Sequence, residues 1–103
     1  MSWKTLRIEG ISRIEREVAR FTVEPTHPDL PMGFRIKIVE HANGTFSGVP
    51  EIAIKDAAGT PDWISGMGDT IEETLADTVH YLLQSARQRE PLGPDSIWWD
   101  PRF

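Results

Sequence analysis

The chain has 103 residues, 39% of them hydrophobic and 26% charged, a composition that argues for one globular domain spanning residues 1–103 and against end-to-end disorder. It has no cysteine, so disulfides and thiolate metal sites are excluded. The net charge is −5, and all of it lies after residue 60, where Arg87, Arg89 and Arg102 stand against eight acids. An acidic surface repels phosphate backbones, so the partner it suits is a small basic protein and not nucleic acid. The start "MSWKTLRIEG" lacks the apolar stretch of a signal peptide, and no run reaches the length of a membrane span. The expectation is a cytoplasmic protein with no membrane contact.

In chain order, "ISRIEREVARF" comes first. Ile11, Ile14, Val18 and Phe21 follow helical spacing, with Arg13, Arg16 and Arg20 opposite, and Ser12 with Glu15 resembles a capping box. This spacing predicts an N-terminal helix over about 12–20. The flanking "KTLRIEG" and "RFTVEP" also read as strand, so residues 4–23 keep both readings. "PTHPDLPMG" is a rigid connector with three prolines. "FRIKIVE" alternates as a strand from Phe34 to Glu40, Asn43-Gly44 is a hairpin signal in which both residues tolerate positive φ, and "FSGVP" returns as the second strand, with Pro50 at a strand end, edge or bulge. A second hairpin is expected from Ile52–Ile54 through "DAAGTPD" to a short strand around Trp63–Ser65.

"GMGDTIEETLADTVHYLL" then reads as a strand stop at Gly66 and Gly68, a cap, and an amphipathic helix over about 70–88. Thr70 with Glu73, or Asp69 with Glu72 one residue earlier, forms the capping box. Ile71, Leu75, Val79, Leu82 and Ala86 form its apolar stripe; Glu73, Asp77, His80, Gln84 and Arg87 lie opposite. The tail 89–103 is rich in proline, and its Ile97, Trp98, Trp99 and Phe103 are expected to bring it back onto the domain. The fold class is therefore α+β: a three- or four-stranded antiparallel sheet packed by one amphipathic helix in the C-terminal half.

A hairpin over Phe34–Glu40 and Asn43-Gly44, then Val49-Pro50-Glu51, then "GMGDTIEETL" from Gly66 to Leu75, resembles the HicB-like antitoxin family over roughly residues 34–88. The resemblance implies a β-β-β-α partial ribonuclease H-like fold, a sheet-mediated homodimer and the binding of a small toxin ribonuclease. Two departures stand out. "AIKDAAGTPDW" is an insertion before the helix start, and the chain ends in "IWWDPRF" where family members often carry a DNA-binding element, so no such element is expected.

For chemistry, His27 and Asp29 sit together in "THPDLP" as a candidate metal pair, or as a base with its orienter; turn chemistry explains Asp and Pro equally well. Asp69, Glu72, Glu73 and Asp77 are explained by capping and a solvated helix face. Glu40, Glu51 and Asp62 at strand ends are the acids a nuclease-type metal site would have to draw on. "GMG" lacks the P-loop pattern, and the acids that follow would repel phosphate. Trp98 and Trp99 are either interaction anchors or tail packing. No catalytic, cofactor-binding or metal residue is assigned. The reading is a non-enzymatic, dimeric interaction domain, antitoxin-like or regulatory. A small enzyme or metal- or ligand-binding domain using His27 and Asp29 is the alternative, and a structural domain of a larger complex the third.

Overall fold

The computed structural model describes residues 2–103. After a single 3-10 turn at Trp3–Thr5, the elements are β1 (Arg16–Val23), β2 (Phe34–Glu40), β3 (Phe46–Pro50), β4 (Ile52–Lys55), β5 (Pro61–Asp62), β6 (Gly66–Gly68), α1 (Ile71–Gln88) and β7 (Ile97–Trp99). They form a four-stranded antiparallel sheet in the order β1-β2-β3-β6 and a three-stranded one in the order β5-β4-β7. The fold is α+β.

The expected N-terminal helix over 12–20 is instead strand β1, preceded by irregular chain. The reason is a β-bulge. β1 pairs with β2 through Arg16↔Glu40 and Glu17↔Val39, then resumes at Ala19↔Ile38, leaving Val18 as the extra residue. One added residue shifts the period-two alternation by one, so apolar side chains recur at mixed intervals of three and four that imitate a helix. The arginines expected on one helix face accordingly disperse. Arg13 pairs with Glu15, Arg16 with Glu40 and Arg20 with Glu17.

The β2–β3 hairpin turns through His41–Thr45. Only Gly44 adopts positive φ (87°), with Asn43 accepting instead from Thr45 N through its side chain (3.0 Å). Pro50 ends β3, where its missing N–H is harmless. The second hairpin turns at Asp56–Gly59 as expected, but its return strand is Pro61–Asp62 and not Trp63–Ser65. Gly66 and Gly68 do not stop a strand; with Met67 they are strand β6 on the edge of the main sheet.

α1 begins at the expected cap. Thr70 Oγ1 accepts from Glu73 N at 3.1 Å, and Glu73 Oε2 accepts from Asp69 N at 3.3 Å. The helix does not bury the stripe its hydropathy suggests. Thr74, Thr78, Leu82, Ser85 and Ala86 are buried, whereas Ile71, Leu75 and Val79 are half-buried. The cause is the sheet beneath. Gly48 and Gly66 are directly paired. A Cβ on Gly66 would stand 2.5 Å from Thr78 N and 2.7 Å from Thr78 Cα. A Cβ on Gly68 would stand 2.7 Å from Thr74 Oγ1. None of these three glycines needs a left-handed backbone, so their role is space for the helix. The two threonine hydroxyls turn back along the helix, to Thr70 O and Thr74 O (2.7 Å each), and stay satisfied while buried.

The core is Leu30, Phe34, Ile36, Ile38, Ile52, Ile54, Ile64, Leu82 and Ala86. Gly66→Ala is expected to destabilise by more than the roughly 1–3 kcal/mol of ordinary overpacking, because its clash is with helix backbone. Gly48→Ala meets mainly the Thr78 side chain. Denaturant unfolding of both variants with and without Thr78→Ala should recover part of the Gly48→Ala loss and almost none of the Gly66→Ala loss.

Candidate functional site

His27 and Asp29 are brought together, but as a closed turn. Asp29 N donates to His27 Nδ1 at 3.2 Å, which makes Nδ1 the acceptor and leaves the proton on Nε2, 2.7 Å from Glu90 Oε1. Both ring nitrogens are thus engaged, and the Asp29 side chain points to solvent. The imidazole ties the connector to the end of α1. It lies at a groove of about 340 Å³ lined by Val23, Pro25, Phe34, Val79, Leu83 and Arg87 among others.

The strand-end acids do not converge. Glu40 is held by Lys4 (3.0 Å) and Arg16 (2.9 Å), Glu51 by Arg35 (2.8 Å) and Asp62 by Arg89 (2.7 Å). Among the described residues no group of three or more histidines and acids has metal-binding geometry. On the helix, Asp77 accepts from Met67 N at 2.9 Å and so ties α1 to β6, while His80 is exposed.

The aromatic cluster is built by the second sheet. Trp98 and Trp99 belong to β7, which pairs with β4 through Ile52↔Trp99, Ala53↔Trp98 and Ile54↔Ile97. On the other side of β4, Asp62 pairs with Ile54, and Trp63 follows it. Alternation places Ile52 and Ile54 toward the core and Ala53 on the reverse face. Trp98 shares that face, and Trp63 does too, since its neighbour Ile64 belongs to the core. Two indoles therefore flank Ala53, about two strand spacings (~9.5 Å) apart. Trp63 and Trp98 are 45% and 46% exposed, while Ala53 between them is fully buried. Lys55 Nζ lies 5.8 Å from the Trp98 ring centroid. Trp99 is half-exposed on the other face.

Sequence reasoning singled out Trp98 and Trp99 and missed Trp63. The signal was present in the turn: Asp56 caps it by accepting from Ala58 N and Thr60 N, which sets the register that carries Trp63 to Ala53. The partner strand β7 lay too far along the chain to be foreseen.

Beyond the tail's strand, Phe103 docks on the reverse face of the main sheet. Its ring centroid is 4.8 Å from the Arg20 guanidinium, 5.2 Å from that of Arg35 and 5.0 Å from Lys37 Nζ.

No protein-family model, curated protein or solved structure matches the chain.

The ion pairs set a pH dependence. Hydrogen bonding to Lys4, followed by the charges of Lys4 and Arg16, lowers the Glu40 carboxyl below the ordinary carboxylate range; Arg35 does the same for Glu51, and Arg20 for Glu17. A carboxyl lowered in the folded state contributes stability that is complete above its unfolded value, about 4.3, and is lost as pH falls through the folded value. Glu40→Gln should therefore be less stable than the parent at pH 7, with the gap closing as pH falls below 4. Chemical unfolding across pH 2–7 measures both arms.

Proposed function

We propose that this chain is a non-enzymatic, homodimeric protein-interaction domain of HicB-like type, antitoxin-like or regulatory, whose partner is a small basic protein. The observation that carries the reading is the paired Trp63 and Trp98, half-exposed on the reverse face of the second sheet. Each offers a large apolar body at low entropic cost, the kind of anchor that dominates protein interfaces. Asp56, Asp95 and Asp100 lie on the turns that adjoin the same strands, and the charge excess of residues 61–103 favours a cationic partner.

The HicB-like reading is supported by the arrangement of the segment that carries the resemblance. β2, β3 and β6 lie side by side and α1 packs across them through "GDTIEETL". The insertion leaves this sheet as β4 and β5 and supplies Trp63. The aromatic face is then an addition to the shared scaffold, made where this chain departs from it.

Affinity capture from the native host should recover a small basic protein. Trp63→Ala combined with Trp98→Ala should weaken that complex by about 10-fold or more with the helix content unchanged by circular dichroism. Capture unaffected by the double variant would remove the aromatic face as the binding surface, and light scattering that reads a strict monomer would remove the dimer.

A further inference from the structure

β1 is an edge strand of the main sheet and the longest strand among the described residues, eight residues from Arg16 to Val23. Before it, residues 6–15 form an arm without helix or strand, and Leu6, Ile8 and Ile11 on that arm are 37%, 51% and 53% exposed. The arm lengthens the molecule: the radius of gyration is 15.3 Å and the long dimension 50 Å, against about 13 Å for the radius of a compact chain of this size. A long free edge followed backward into an exposed apolar arm calls for a further strand.

We infer that the occupant of this edge is β1 of a second copy, paired antiparallel about a two-fold axis at Ala19. This deepens the homodimer reading above and rests on it. The surface lies outside residues 34–88, which carry the family resemblance.

The register follows from the bulge and the charges. In a symmetric antiparallel pair, opposed residues must present the same edge and the same face, so the axis passes through a residue position. Because Val18 is the extra residue of the bulge, an axis at Ala19 sets Glu17 opposite Arg20 of the second copy and Arg16 opposite Phe21. Continuing outward, Glu15 meets Thr22, Ile14 meets Val23 and Arg13 meets Glu24. Two opposite-charge pairs form on each side of the axis, and the smallest side chain of the strand sits on it. Four other axis positions place like charges opposite one another, which is destabilising. An axis at Arg16, Glu17 or Arg20 opposes that residue to itself, and an axis at Phe21 opposes Glu17 to Glu24. An axis at Thr22 makes one opposite-charge pair on each side, Arg20 with Glu24, and an axis at Val23 makes none within the strand. In the Ala19 register, Ile14 of the second copy arrives beside Val23, at the lip of the 340 Å³ groove, and Ile11 follows three residues further out, before the arm turns at Ile8–Ile11.

The absence of cysteine makes the test direct. Ala19→Cys, and separately the double variant Glu15→Cys with Thr22→Cys, are oxidised mildly in the full-length chain. Residues 15 and 22 are about 23 Å apart along one strand, so a bond between them must link two copies. The two probes lie on opposite faces. Close and wide pairs alternate along the ladder, so one probe falls at the close spacing. The expected result is a covalent dimer with at least one probe. Arg13→Glu should weaken the unlinked dimer about 10-fold or more, and adding Glu24→Arg should restore it; both positions are exposed, so folding is unaffected. A monomer by light scattering at high concentration overturns the homodimer reading and this inference together. A dimer that neither cross-links at these positions nor responds to the charge exchange overturns this inference alone and leaves the homodimer on another surface.

Discussion

The close approach of α1 to the sheet is the constraint on which the rest of the molecule depends. Gly48, Gly66 and Gly68 remove the side chains that would hold the helix off, and Thr74 and Thr78 enter the space with their hydroxyls turned back to the helix backbone. Several features follow from that contact. The buried face of α1 is made of small and mixed residues, so the larger Ile71, Leu75 and Val79 lie along its flank. Val79 of that flank, with Leu82 and Leu83, forms one wall of the groove beside His27. β6, glycine at both ends, offers little besides backbone, and Asp77 secures it by accepting from Met67 N. Packing at this distance leaves no slack, and substitutions that look mild on paper act on helix backbone.

Covering only one face of a sheet leaves the other to be solvated or occupied. Here the chain occupies it with its own Phe103, ringed by Arg20, Arg35 and Lys37. Two of those cations are also held by acids, Arg20 by Glu17 and Arg35 by Glu51, so the ring meets a surface of oriented, partly neutralised charge. Exposed pairs of this kind contribute little one by one. Their effect here is to fix guanidinium planes beneath an aromatic ring, which orients the tail and with it β7. The same tail then completes the second sheet.

What the sequence made legible was whatever depended on local chemistry. The capped helix at 70–88, the β2–β3 hairpin and Pro50 at a strand end could all be read from neighbouring residues. β1 could not be, because the bulge at Val18 erased the alternation that marks a strand and left a helical imitation. The roles of Gly66 and Gly68 were misread for a different reason. A glycine pair ahead of a helix looks like a stop unless one knows that a threonine from that helix will sit on it. Trp63 was missed because its significance is relational: it becomes a surface only once β7, more than thirty residues later, lays Trp98 on the other side of Ala53. For His27 and Asp29, tertiary contact with Glu90 engages an imidazole that sequence left open, which no local pattern announces.

The two proposed interaction surfaces draw on separate parts of the chain, and this separation has a physical logic. The proposed β1 edge pairing rests on one charged pattern, Arg13, Glu17, Arg20 and Glu24, which is complementary to itself when reversed about Ala19. The face on β4, β5 and β7 has no such symmetry. It carries two half-exposed indoles with Lys55 beside Trp98, and acids on the adjoining turns, the features on which the proposed cationic partner rests. In the proposed arrangement, the edge that would join two copies and the face that would meet a different protein lie on different sheets, so one would not block the other. The division of charge along the sequence, neutral before residue 60 and acidic after it, is the same division expressed in composition.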